Sequence, residues 1–185
     1  MSPKVSVREH LLLTTNSAKW VLLAIPLGIL VGTSCAAFLW LLDFVTNVRF
    51  QHPWLLWFLP VAGAAVGWMY LRFGKSVECG NNLIIDEIHS PGGGVPLRMA
   101  PLVFIGTIVT HLFGGSVGRE GTAVQMGGSI AGELARRIPG IGREHVSILL
   151  MTGVAAGFAG VFGTPVAGMI FAMEVLVIGR MNYSA

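Results

Sequence analysis

Four stretches of this chain contain no Asp, Glu, Lys or Arg: Trp20 to Leu42, Pro53 to Leu71, Met99 to Gly118 and His145 to Met173. A bilayer crossing takes about 20 mostly apolar residues, so the first three each fit one crossing and the fourth is too long for one. Gly160, Gly163 and Pro165 interrupt the fourth, so two segments meeting inside the membrane are expected there. Composition agrees. Of 185 residues, 54% are hydrophobic and only 11% charged, against about 25% charged in an ordinary soluble domain. An all-α membrane protein is the class this pattern allows.

The leader MSPKVSVREHLLLTTNSAK is polar, and the apolar run after it is too long for a signal-peptide core and has no clear small-residue cleavage site. Residues 1–19 are therefore read as a cytoplasmic N-terminal segment and 20–185 as the transmembrane region. Lys4, Arg8 and Lys19 precede the first span and Arg72 and Lys75 follow the second. By the positive-inside rule both flanks face the cytoplasm, which makes the first two spans a hairpin with Arg49 in a short outer turn. The net charge of +3 is no nucleic-acid signal, and the two cysteines, Cys35 and Cys79, form neither a CxxC pair nor a disulfide framework. Cys35 reads as a small packing residue.

Helices are expected over 20–47 and 53–72, both with small residues (Gly28, Gly32, Gly63, Gly67) that let helix backbones approach closely in lipid. Between Val77 and Pro96 the chain turns polar, yet Leu83 to His89 looks helical. Asn81 and Asn82 fall where an N-cap would stand, Asp86 and Glu87 in its early turns, and Gly92 to Gly94 end it. Two turns cannot span a bilayer. Such a piece is a surface connector or a half-helix whose N-terminus points at an anion, and composition favours the connector. Further helices are expected over Met99–Phe113, Thr122–Ile138, 143–159 and Thr164–Ile178, the last with Thr164 as N-cap and Pro165 at its first position.

The bland assignments are these. Asp43 caps or faces the outer interface, Glu133 pairs with Arg136 or Arg137, and Glu144 suits the helix start it lies in. His111 has no second ligand at metal-binding spacing and reads as a packed, hydrogen-bonded histidine, so no metal or cofactor is expected. Trp20, Trp54 and Trp57 suit the aromatic belt.

GGSVGREGTAVQMGG, at 114–128, poses the chemical question, because an ionisable pair within an apolar region is a functional candidate by default. Two glycines end one helix, SVGREG is read as extended, and a new helix starts near Glu120 or Gly121. Free N–H groups and the positive dipole end at that start make an anion site. Glu120 can occupy the site itself, as a tethered competitor that protonation releases. The alternative is a structural Arg119–Glu120 pair, which an extended backbone disfavours because adjacent side chains then point to opposite faces. A phosphate-binding P-loop lacks its GK[ST] ending.

These residues carry a resemblance. GSVGREGTAVQMGG is similar to the GREGP-type motif of the CLC chloride channel and transporter family, with Thr122 in place of the usual proline. GNNLI at 80–84 resembles that family's GSGIP motif, and FGTPVAGMIFAMEV at 162–175 resembles the stretch around its central dimer-interface helix. The resemblance implies the first inverted-repeat half of a CLC-type fold, with broken and re-entrant helices, in a homodimer having one anion pathway per subunit. Glu120 would be the gating glutamate and proton carrier; Gly80, Asn81, Asn82, Gly118, Arg119 and Gly121 would line the anion site.

Asparagine at the serine position of GSGIP, and GREGT for GREGP, look like the family's fluoride/proton antiporter branch. Val175 stands where many chloride/proton exchangers carry an internal proton-relay glutamate, with Glu174 as the neighbouring carboxylate. The Asn81 amide donates two hydrogen bonds where a serine donates one, which suits a small, strongly hydrated acceptor such as fluoride. The expected function is fluoride export coupled to proton entry across a bacterial inner membrane, in contact with lipid. The alternatives are a chloride channel or chloride/proton exchanger, or a non-transporting membrane subunit. The motifs of the second repeat are absent from these 185 residues, which implies a fragment, a truncated product or a half that pairs with another chain.

Overall fold

A computed structural model describes residues 7–178 of the chain, with side chains over 18–174. Seven α-helices follow one another: α1 (Val7–Gln51), α2 (Leu59–Phe73), α3 (Asn81–His89), α4 (Met99–Leu112), α5 (Arg119–Arg137), α6 (Arg143–Phe162) and α7 (Pro165–Ile178). A six-residue 3-10 helix, Pro53–Phe58, precedes α2. No strand occurs among the described residues. Three segments are long and apolar enough to cross a membrane: Ala18–Gln51, Pro53–Phe73 and Arg143–Phe162.

Several boundaries differ from the sequence expectation. α1 runs past both ends of 20–47 and continues through Pro26. The segment expected as one helix over 53–72 opens as a 3-10 turn, with Pro53 at its start and Pro60 in the first turn of α2. The first two spans do not share a packed face: α1 lies against α6, α4 and α5, while α2 leans on α4. α6 passes through Gly160 and ends at Gly163, whose φ of 68° is the left-handed C-cap. Gly160 is there for space, since a Cβ on it would stand 2.9 Å from the Cβ of Cys35. The Cys35 thiol donates to the Gly157 carbonyl at 3.7 Å, so Cys35 is the packing residue expected.

α1 buries a single stripe, Leu27, Val31, Cys35, Phe38, Leu42 and Val45, and leaves Leu22, Ile29, Trp40 and Phe44 exposed. The four- and three-residue spacing is that of one helix face. Apolar exposure costs nothing where the surroundings are lipid, so a membrane helix need bury only the face that packs.

The glycines that bring helices together are not those of the first two spans. A Cβ at Gly28, Gly32, Gly63 or Gly67 would meet nothing within 4 Å. The close approaches lie further along the chain. Gly127 of α5 faces the backbone of Gly153 in α6, and Gly157 faces the Ala123 carbonyl. Gly168 of α7 lies where a Cβ would be 2.6 Å from the Ala155 carbonyl. Glycine is required because the helix axes stand closer than two Cβ atoms permit.

Orientation follows from two contacts. Trp20 of α1 stacks on His145 at the start of α6, with ring centroids 5.3 Å apart, so Trp20 and the start of α6 lie at one end of the bundle. α5 finishes at that end, where Arg136 and Arg137 hold Glu133 at 2.9 Å each, the expected pair realised as a fork. With Lys19 and Arg143 added, this is the cationic end of the bundle. Arg49 lies at the other end, its Cδ 3.3 Å from where a Cβ on Gly114 would stand. Asp43 is not at a helix terminus but accepts from Asn47 Nδ2 at 3.2 Å, two turns before α1 ends.

At the cationic end Glu87 does what the sequence did not suggest. It lies in the second half of α3, buried, and its two carboxylate oxygens accept the Gly92 and Gly93 N–H groups at 2.8 and 3.0 Å. That carboxylate closes the glycine-rich turn back onto α3. Ser147 Oγ donates to the Ile88 carbonyl at 2.7 Å and Ser129 Oγ to the Pro96 carbonyl at 2.8 Å, pinning the same turn to α6 and α5. Glu87→Ala strands both amides, and a loss of about 2 kcal/mol is expected because hydrogen bonds to a charged group are worth about 1.5–3 kcal/mol. Thermal unfolding in detergent measures it, with Glu87→Gln, which keeps one acceptor oxygen, falling in between.

Candidate functional site

The chain from Gly114 to Gly118 determines where α5 begins. Gly114 adopts φ 82° and ends α4 beside Arg49, at the end opposite the cationic one. The extended residues after it can carry the chain back only about 13 Å at roughly 3.4 Å per residue. α5 starts there, at Arg119, with Gly118 as an extended N-cap that has no side-chain cap bond. α5 thus begins before the expected start at Glu120 or Gly121, and less than one turn before the helix expected from Thr122. Arg119 and Glu120 are helical rather than extended, with consequences for their pairing.

α3 brings the second set of residues. Gly80, at φ 56° and ψ −125°, is its N-cap, in a backbone region open to glycine but strained for other residues. The expected caps, Asn81 and Asn82, are instead the first two residues of the helix, and the cap makes no side-chain hydrogen bond. No carboxylate stands in the first turn of α3; Asp86 and Glu87 come later. The helix start is therefore left with its amides and its positive dipole end uncompensated by side chains.

These two starts converge. The Asn81 Nδ2 lies 3.5 Å from where a Cβ on Gly121 would stand. Gln125, one turn further along α5, places its Nε2 3.3 Å from the corresponding point on Gly80. Hence Gly80, Asn81, Gly118, Arg119, Glu120 and Gly121 share one locality, with Asn82 in the first turn of α3 beside them. Two helix N-termini and two side-chain amides face one another across it. That is a constellation of donors, suited to a small anion and not to a metal cation.

The Glu120 carboxylate folds back over the cap, its Oε2 3.1 Å from where a Cβ on Gly118 would be. It therefore stands at the mouth of α5. Arg119 Nε is 3.9 Å from Glu120 Oε1, and both side chains are about half exposed. The sequence argument against this pair assumed an extended backbone. In a helix consecutive side chains are about 100° apart, close enough for a loose contact. At that distance and exposure an ion pair is worth about 0–1 kcal/mol, too little to fix Glu120 in place.

Gln125 was not singled out from sequence, although its position four residues after Gly121 puts it on the same helix face. Behind this face lies a cavity of about 240 Å³, lined by Tyr70, Thr107, Thr110, Gly118, Thr122 and Gln125 among others. His111 lies apart from the site and its Nδ1 is 3.0 Å from the Thr107 carbonyl, the packed histidine expected. No group of three or more His, Cys, Asp or Glu with metal-binding geometry occurs among the described residues.

Comparison with known proteins adds the following. The family profile described as Voltage gated chloride channel matches residues 62–185. A chloride/fluoride channel protein of Pseudomonas syringae pv. tomato is 56% identical over 177 residues, covering 96% of this chain and 39% of that protein. The H(+)/Cl(-) exchange transporter ClcA of Cronobacter sakazakii is 31% identical, covering 83% of this chain and 36% of its own length. The crystal structure of a CLC-type fluoride/proton antiporter superposes with a TM-score of 0.80 at 38% identity, over 95% of this chain and 42% of that one. The chain thus spans about two fifths of the length of the relatives it matches.

Proposed function

Because the chain belongs to the voltage-gated chloride channel family, whose fold it shares over most of its length, we propose that it forms the first half of a fluoride/proton antiporter and holds part of the anion site. The observation that carries this is the meeting of two uncapped helix N-termini at Asn81 and Gly121, with the Glu120 carboxylate folded over one of them. A permeating anion takes the donors at this meeting point. Glu120 competes for them when charged and leaves when protonated, so one side chain links proton binding to anion access. Gly80, Asn82, Gly118 and Arg119 supply backbone and charge around the same point. The similarity to a chloride/fluoride channel protein and to a fluoride/proton antiporter supports fluoride as the substrate.

The working transporter is a homodimer in a bacterial inner membrane, with lipid around its exposed helices and residues 1–19 at the cytoplasmic side. A second repeat half completes the pathway from outside these 185 residues. The test is efflux of fluoride and of chloride, with proton movement recorded, from liposomes holding the full-length transporter. Fluoride efflux with opposed proton uptake is expected, and chloride flux equal to fluoride overturns the assignment of substrate.

Asn81→Ser tests the side-chain donor separately. One amide donor fewer at the site lowers the fluoride preference over chloride by about 3- to 10-fold, given roughly 0.5–1.5 kcal/mol per net hydrogen bond. The ratio of the two efflux rates reads this directly.

A further inference from the structure

Two threonines on different helices meet behind the candidate anion site. Thr107 of α4 and Thr122 of α5 are each 5% exposed, and their Oγ1 atoms are 2.7 Å apart. Thr122 Oγ1 also lies 3.3 Å from the Gly118 carbonyl. A carbonyl can only accept, so the direction of the chain is determined: the Thr107 hydroxyl donates to Thr122, whose hydroxyl donates to Gly118. The chain starts on α4 and ends on the N-cap residue of α5. Gly118 is also the residue over which the Glu120 carboxylate folds.

We propose that the Thr107–Thr122 hydroxyl pair is a positioning device that sets the depth and rotation of the first turn of α5, and with it the spacing between the α5 amides, Asn81 and the Glu120 carboxyl. This rests on reading that turn as part of the anion site. The pair suits the task because α5 begins without a side-chain cap and the Arg119–Glu120 contact is loose. No other side-chain hydrogen bond ties residues 118–122 to a neighbouring helix among those described. A short bond between two buried hydroxyls is directional, so it resists sliding and rotation where apolar contact resists only separation. The motif this segment resembles has proline at position 122, which can make neither bond. The link therefore depends on this chain having threonine at both 107 and 122.

The test uses the full-length transporter in liposomes, with Thr122→Val, Thr107→Val, the double variant, and the two serine replacements. Each valine variant raises the half-saturating fluoride concentration by about 3- to 10-fold, the range for losing one such bond. The serine variants keep the hydroxyl and stay at the parental value. The double variant is no worse than the worse single one, because both singles break the same link. Independently of transport, amide hydrogen exchange at residues 123–125, whose N–H groups bond the carbonyls of the first turn, quickens in the valine variants and not in the serine ones. Valine variants with parental exchange at 123–125 overturn the proposal, whether or not transport suffers. If the valine variants fail to fold, Thr→Ala replacements at the same positions carry the same comparison. A parent protein that moves no anion counts against the proposed function alone, since the exchange measurement still decides the role of the pair.

Discussion

Glu120→Gln gives a transporter that passes anion and carries no protons. Glutamine keeps the size of the side chain and can still lie over Gly118, but it neither titrates nor carries charge. The attraction between a carboxylate and a helix N-terminus is about 0.3–2 kcal/mol, so removing it raises anion occupancy of the site by up to roughly 30-fold. Proton movement recorded by a pH electrode falls to that of protein-free liposomes, while fluoride efflux continues down its gradient. The expectation follows from where the carboxylate stands, 3.1 Å from the Cβ position of its own helix cap, and from the looseness of its contact with Arg119 at 3.9 Å. Glu120→Gln with proton coupling intact would falsify the gating role. Arg119→Ala is a useful companion, since a pair worth about 0–1 kcal/mol should leave coupling in place when it is removed.

The second large effect is on stability. Gly153→Ala and Gly127→Ala each place a methyl group against the backbone of the facing helix. Neither obstacle is a flexible side-chain tip that can turn aside; α5 and α6 must separate. A loss of about 3 kcal/mol or more is expected, at or beyond the upper end for overpacking. Gly28→Ala and Gly63→Ala, where a Cβ meets nothing within 4 Å, cost no stability and add up to about 1 kcal/mol by restricting the unfolded chain. Thermal unfolding of the purified protein in detergent separates the two classes, and equal effects in both would remove close glycine packing as the basis of the α5–α6 contact.

That contrast shows why the sequence reading was right about class and incomplete about packing. Small residues in α1 and α2 look like helix-contact stripes, as do those of α5 and α6, because local sequence records only that a face is narrow. Whether another helix lies opposite is a property of the assembled bundle. The same holds for α3. Its existence was legible from Leu83 to His89, but Gly80 became the cap only once its positive φ was known, and the connector reading gives way to a helix whose start meets that of α5. Glu87 looked like a dipole partner in an early turn and is instead the acceptor for two glycine amides six residues away or less.

What the sequence by itself determined is the set of uncharged spans, the helix stop at Gly114, and the motif around Glu120; the stop at Gly163, three residues past the expected break at Gly160, came from the structure. Each depends on local chemistry: lipid excludes charge, and glycine ends helices where φ turns positive. Only the tertiary structure decided that Asn81 lies beside Gly121, that Gln125 faces Gly80, and that Thr107 bonds Thr122. These pairs are separated by 15 or more residues in the chain, and no periodicity links them. They meet because Gly127, Gly153 and Gly157 allow α5 and α6 to pack backbone to backbone, while Ile84 seats α3 against Gly128, and that packing brings two helix starts to one point.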